Sequence, residues 1–220
     1  IRQDAKALAE LQEKEEGLAC LPTLELADVP PEVEIIRPDT FKDVRVSTCY
    51  KKSTSGILYF TCPVGTGMID RDLLSLVPFF CKAFIGAGTA KRDYAEMAEL
   101  MDLYTGGVSI SPHAGKKFAD NGDCISFLTF QGKALSENTD PMFDILGEMI
   151  LDRDFSDHKR LKNLLYQYRA QLESSIVGNG HRYAIYLASR RLTPVSHVSE
   201  IWNGISQYRF VKELTERLEN

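Results

Sequence analysis

Apolar residues recur along this chain at two different periods, and the switches between them mark out its elements. Ile1, Ala5, Leu8 and Leu11 fall on one helical stripe, with Lys6, Glu10, Glu13, Lys14, Glu15 and Glu16 around it. Gly17 and Cys20-Leu21-Pro22 end that helix. Val29-Pro30-Pro31-Glu32 then predicts an extended linker, because each proline drives its predecessor out of the α region. A period of two comes next. Val44, Val46, Thr48 and Tyr50 alternate with Arg45, Ser47 and Cys49, the pattern of a strand with one buried face. Ser53-Thr54-Ser55-Gly56 supplies a turn and Ile57 to Cys62 returns as a second strand, which predicts an antiparallel hairpin.

Helical spacing then takes over. Asp70 is placed as an N-cap ahead of Leu73, Leu74, Leu76 and Val77, and Pro78 kinks or restarts the helix before it runs to Gly86 and Gly88. Tyr94, Met97, Met101 and Tyr104 mark a second helix, closed by Gly106-Gly107. Two strands are predicted at Val108 to His113 and Asp123 to Phe130, joined by a polar loop from Gly115 to Gly122. The second is apolar on both faces (Ile125, Phe127, Leu128, Phe130), which suits a central position. Asp140-Pro141 reads as an N-cap and first helical residue, and Ser156 as the start of a long helix ending at Gly178-Asn179-Gly180. A further helix runs from His181 to Leu192 and stops at Thr193-Pro194, with Ser196 and Ser206 as N-caps of the remaining helices. The order ββ-αα-ββ-ααα lacks βαβ alternation, so the predicted class is α+β: an antiparallel sheet with helices packed on one face.

Composition narrows the functional classes. The 220 residues carry 26 Lys+Arg against 31 Asp+Glu, net −5, and are 44% hydrophobic. That balance is typical of a folded globular chain and argues against a disordered segment or a general nucleic-acid binder. No apolar run approaches a membrane span and the first residues lack a signal-peptide core. The five cysteines include no C-x-x-C pair and read as reduced thiols, although Cys49 and Cys62 flank the predicted hairpin. Both ends of the chain fall inside helical patterns, so the expectation is a piece of a longer polypeptide.

Candidate chemistry is sparse. His197-Val198-Ser199-Glu200 begins an inverted zinc motif, but Ile201 occupies the position of its second histidine. The simpler reading is a surface helix start, with Glu200 favoured in the first turn by the helix dipole. His113, His158 and His181 read as local hydrogen-bonding residues, and Asp152-Arg153-Asp154 and Lys159-Arg160 as solvated helix ends. Cys81, beside Lys82, is either an activated thiolate or, given its apolar helix, an inert core thiol. A hydrolase built on Cys81 or His197 is therefore a weighed alternative. Neither a nucleophile elbow nor a phosphate-binding glycine loop is present.

Several stretches taken together carry a resemblance. Cys20-Leu21-Pro22-Thr23-Leu24 with Asp28-Val29-Pro30, Thr54 to Phe60, Val77-Pro78-Phe79-Phe80-Cys81, Leu103 to Pro112, Gly180-His181-Arg182-Tyr183-Ala184 and Leu192-Thr193-Pro194 run in order over nearly the whole chain. They resemble the presequence-protease, falcilysin-like branch of the pitrilysin (insulinase-type) zinc metallopeptidases. The resemblance implies that 1–33 is the end of a helical-hairpin linker and an extended connector. It implies that 34–220 is an inactive, C-terminally incomplete peptidase-like domain of the metallopeptidase LuxS/MPP-like type. It further implies peptide substrates, partner domains of a parent chain, no nucleic acid or membrane partner, and an intracellular location, either bacterial cytoplasm or an organelle matrix. Zinc would belong to the parent enzyme, with no cofactor in this chain.

Laying Phe79 to Thr89 on the family's active helix sets Phe79 and Ala83 at the two histidine positions and Lys82 at the catalytic glutamate. Neither Phe nor Ala offers a lone pair to Zn²⁺, and an ammonium cannot serve as base. The expected catalytic and metal residues are thus none, and the substrate-contacting residues are left open. The implied function is a non-catalytic domain of a zinc-dependent metalloendopeptidase that degrades peptides, forming part of its substrate chamber. The alternative is a structural or interaction module of the same fold.

Overall fold

The long strand Cys124–Leu135 sits at the centre of a three-stranded antiparallel sheet and organises most of the protein. The computed structural model describes residues 25–32, 35, 37–41, 47–50, 53–67, 69–116 and 124–218. Expectations for residues 1–24, for Val44 to Val46 and for the loop across 117–123 lie outside the described residues. The chain divides into two compact units, Ile1–Ser53 and Thr54–Asn220.

In the first unit, strand β1 (Asp39–Phe41) pairs antiparallel with β2 (Ser47–Cys49). This corrects the predicted hairpin. The residues around Cys49 pair backwards with Asp39, and the strand after the Ser53 to Gly56 turn goes elsewhere. That strand, β3 (Ile57–Gly65), lies against the central strand, with Ile57 opposite Leu135 and Gly65 opposite Phe127. Its side chains give the reason: Leu58 and Phe60 pack on the cluster of Ala134, Met142 and Leu146, and Phe60 meets Phe143 edge-on at 5.2 Å. Cys49 and Cys62 are both free thiols.

The second unit runs β3, α1 (Val77–Gly86), α2 (Tyr94–Tyr104), β4 (Val108–Lys116), β5 (Cys124–Leu135), α3 (Thr139–Leu151), α4 (His158–Ser189), α5 (Pro194–Asn203) and α6 (Ile205–Arg217), with sheet order β3-β5-β4. The fold is α+β. Strand β5 is central, as its apolar sequence suggests, and both edge strands carry a proline (Pro63, Pro112), which an edge tolerates because one side of it needs no ladder donor. The strands are longer than predicted: β5 continues through Gln131-Gly132-Lys133 and β4 passes beyond His113. Polar alternation hides this continuation. From Gln131 onward Gly132 and Ala134 are buried while Gln131, Lys133 and Leu135 are exposed. At Gly132 α3 packs close, since a Cβ there would lie 3.1 Å from the Met142 sulfur.

The core lies between the sheet and the helices. Val77, Cys81 and Phe84 of α1, Met97 of α2, Ile145 and Met149 of α3 and Trp202 of α5 form one cluster with Ile110 and Leu128 of the sheet. Phe84 packs edge-on against Phe130 at 5.4 Å. Each of these side chains is worth roughly 1.5–3 kcal/mol when fully buried, so the cluster is the main source of cohesion.

Helix termini depart from the sequence reading in instructive ways. Asp70 does cap, but it opens a 3-10 turn, Arg71–Leu76, and α1 restarts only at Val77-Pro78. A further 3-10 turn at Ser136–Asn138 leads directly into α3, so Asp140 and Pro141 are already helical. Asp157, not Ser156, caps α4, and α4 is two helices merged across a kink at Asn179 (φ −122°, ψ 24°), within the predicted Gly178-Asn179-Gly180 break. Thr193 caps α5 by accepting from Ser196 N at 3.0 Å, which makes Ser196 the third helical residue. Gly204, not Ser206, sits at the start of α6.

Glu200 explains that last junction. It is buried near the end of α5, and its Oε1 accepts from Ser206 N at 3.1 Å, placing a carboxylate at the amino end of α6, where the dipole favours it. The surface reading of Glu200 is therefore corrected: the acid serves the next helix. A Cβ on Gly204 would stand 2.6 Å from the Glu200 carbonyl oxygen, so only glycine fits. Gly204→Ala is expected to lower stability by about 1–3 kcal/mol, the usual range for overpacking, read as a reduced urea midpoint with an unchanged slope.

Candidate functional site

Helix α1 carries the residues that the resemblance sets on an active helix, and its surroundings define the candidate site. Leu74 and Ile69 pack against the core beside it, while Leu73, Leu76, Phe79, Phe80 and Ala83 line an open groove of about 510 Å³ closed by Phe155 and Leu161. No charged or polar side chain lines it. Phe80 remains 39% exposed and Leu73 51%, although Phe80 touches Phe84 and Phe155 at ring distances of 5.8 and 6.1 Å. Lys82 points away to α4, where its Nζ donates to Gln171 Oε1 at 3.2 Å. Phe79 stacks near Tyr168 at 6.3 Å. Such a surface can accept apolar side chains by desolvation and has no group that could polarise a carbonyl or activate water.

The carboxyl end of α1 fixes the groove in place. Past Ala83, whose carbonyl accepts from Ala87 N, its last carbonyls look for partners outside the helix. Arg160 Nε donates to Gly86 O at 2.8 Å, and Arg153 Nη1 donates to Ala87 O at 2.7 Å and Gly88 O at 3.2 Å. Both guanidinium groups also lie over rings, Arg153 over Phe84 at 4.6 Å and Arg160 over Tyr94 at 3.8 Å. Cations belong at this end of a helix dipole. The sequence reading of Arg153 and Arg160 as solvated helix ends is corrected: Arg153 is lowered to about 10 by burial, with the Glu148 charge acting against that shift.

An ionic network braces the same corner. Thr89 Oγ1 donates to Glu148 Oε1 at 2.6 Å, Arg92 pairs with the other oxygen, and Lys91 Nζ meets Asp152 Oδ2 at 2.6 Å. Desolvation works to raise the Glu148 carboxyl, but the hydrogen bonds from Thr89 and Arg92 and the charges of Arg92 and Lys91 outweigh it and hold it below its ordinary value.

The other residues singled out in the sequence lie apart. His113 is exposed in mid-strand, stacked on Phe127 at 5.5 Å with Nε2 3.0 Å from Ser111 Oγ. His158, His181 and His197 are exposed on α4 and α5. Cys81 is buried and its thiol is pushed up to about 12, mainly by desolvation, so at neutral pH it is no nucleophile. Among the described residues no group of three or more His, Cys, Asp or Glu could hold a metal ion. No helix among them is long and apolar enough to cross a membrane. The capping roles of Arg153, Arg160 and Glu200 had no local signal, because their partners lie in other elements.

Residues 1–214 match the family described as Peptidase M-16C associated, and the chain belongs to that family. Its relatives include the mitochondrial presequence proteases of Xenopus tropicalis, 30% identical over 221 residues, and Xenopus laevis, 29% identical over 221 residues. Presequence protease 1, chloroplastic/mitochondrial, of Arabidopsis thaliana is 26% identical over 219 residues. These alignments cover 98%, 98% and 99% of this chain but only 21%, 21% and 20% of the relatives. The chain spans about one fifth of their length.

Two outcomes are expected from the electrostatics. Glu148→Gln should flatten the acid limb of the stability curve. The depressed carboxyl contributes fully above the unfolded value of 4.5 and loses that contribution as pH falls through its lower folded value, so wild type and variant should converge in strong acid in denaturation series across pH. Cys81 should resist iodoacetamide at pH 8 while exposed Cys49 reacts, as mass spectrometry of alkylated peptides would show.

Proposed function

We propose that this chain is a non-catalytic part of a zinc-dependent metalloendopeptidase that degrades peptides, and that it forms part of the wall of the substrate chamber. The observation that carries this reading is the α1 face. Where the resemblance sets two metal-binding histidines and a glutamate, the chain has Phe79, Ala83 and Lys82. The first two line an apolar groove and the third is tied to α4. That face offers zinc no lone-pair donor, and the Lys82 ammonium beside it would repel the ion.

Membership of a peptidase-associated family and relatives named as proteases support a peptide-handling parent. Zinc and the reacting groups would then come from other regions of that parent. Residues 1–33 would serve as the end of a linker and 34–220 as the peptidase-like domain. The groove of α1 would meet apolar side chains of a peptide. An organelle matrix is the compartment that the relatives' names favour, mitochondrial or chloroplastic.

The purified chain, dialysed against zinc and washed, should retain less than about a tenth of an equivalent of metal by elemental analysis. It should also leave a fluorogenic peptide uncut. Stoichiometric zinc or turnover abolished by a chelator would refute the reading.

A further inference from the structure

A second cavity lies where α4 bends. Asn179 leaves helical geometry between Gly178 and Gly180, and a Cβ on either glycine would meet nothing within 4 Å, so no neighbouring atom demands the glycines. Beside the bend lies a space of about 250 Å³ between α4 and the end of α5. Tyr168, Tyr183, Tyr186 and Trp202 line it, with Arg182 and Asn203 beside them. Two of the rings are tied by hydrogen bonds. Trp202 Nε1 donates to Leu74 O at 2.9 Å, Tyr183 OH shares a hydrogen bond with Ser175 Oγ, and Asn179 Nδ2 donates to Ser175 O at 3.2 Å. Next to the wall, Gln207 is fully buried, close to the Tyr168 phenol, yet its amide makes no well-formed hydrogen bond.

Arg182 is the one charged side chain lining this cavity, and the sequence stretch that carries it is one-sided in charge. Residues 174–199 contain no Asp or Glu, while they carry Arg182, Arg190, Arg191, His181 and His197, in a protein that is net −5. Glu173, the last acid before that stretch, is engaged by Arg169 at 3.1 Å and by Tyr208 at 3.3 Å. Among the described residues no carboxylate pairs with Arg182, which is exposed at the rim. An aromatic cavity beside an exposed guanidinium suits a ligand with an apolar body and a carboxylate, because rings supply contact area at low entropy cost and guanidinium binds carboxylate in a directed fork. The volume lies just below the range usual for small-molecule sites, so it fits one or two residues of a peptide.

We propose that this cavity binds a carboxylate carried next to an aromatic or apolar side chain on a peptide. The inference rests on the peptide-handling reading above and adds a second contact point, distinct from the α1 groove in being charge-selective.

Trp202, the sole tryptophan, reports on the site directly. Its fluorescence is to be followed while the chain is titrated with N-acetylphenylalanine (terminal carboxylate), N-acetyl-phenylalanyl-glutamic acid amide (side-chain carboxylate) and N-acetyl-phenylalanyl-glutamine amide (neutral). A saturable change with at least one acidic probe is expected, with the neutral probe at least about tenfold weaker, and the acidic probe that binds shows which carboxylate is read. Arg182→Gln, at an exposed position, should weaken the acidic probe about tenfold with an unchanged melting midpoint, while Arg71→Gln should have no effect. Absence of saturation, equal response to the neutral probe, or an unaltered Arg182→Gln would each overturn the proposal. Retained zinc or turnover would sink the earlier reading without altering these titrations, so the two failures are separable.

Discussion

The free carbonyls at the end of α1 set the terms for the rest of the second unit. A helix that ends among core residues must satisfy those groups or lose a large part of its stability. Here Arg160, in the first turn of α4, reaches the Gly86 carbonyl, and Arg153, from the segment between α3 and α4, reaches the carbonyls of Ala87 and Gly88 just past the helix. Each guanidinium lies against a ring, so the same two side chains neutralise the helix end, fill space and join elements far apart in sequence. The ionic network of Glu148, Thr89 and Arg92 braces the loop between α1 and α2. With its end pinned this way, α1 presents a fixed apolar face, and the groove is a consequence of that fixation.

That arrangement also accounts for what the helix can do. A strand-backed helix with Phe79, Phe80 and Ala83 on its groove side offers contact area and desolvation and offers no acid, base or metal ligand. Cys81 is buried in the core, which keeps it protonated. Membership of a peptidase-associated family therefore sits beside a helix whose groove side is apolar. The bend in α4 supplies the contrast. There aromatic rings and Arg182 meet, and charge enters the surface of an otherwise apolar or mixed-sign unit.

Much of the fold was legible because hydrophobic period is a local property. The α+β class, the central position of β5 and the break at Gly178-Asn179-Gly180 all arise from patterns within a few residues. Pairing was not local. The Ile57 strand found β5, more than sixty positions later, because Leu58 and Phe60 share a face with Ala134. Caps were misplaced by one to three residues: a 3-10 turn runs straight into α3 at Asn138, Thr193 caps α5 three residues ahead of Ser196, and Glu200 of α5 serves the amino end of α6 at Gly204. Of the candidate site, the missing ligands on α1 could be read from residue types alone. The groove could not, since it depends on Phe155 and Leu161 arriving from another part of the chain, and Glu200 changed from surface acid to buried brace for the same reason.

The central claim is that the α1 face is an apolar wall incapable of holding a metal. Crystals of the chain soaked in zinc and measured on both sides of the zinc absorption edge address it at the atomic level. The account predicts no anomalous peak within bonding distance of residues 76–83; an ordered zinc ion seated on that face would contradict it.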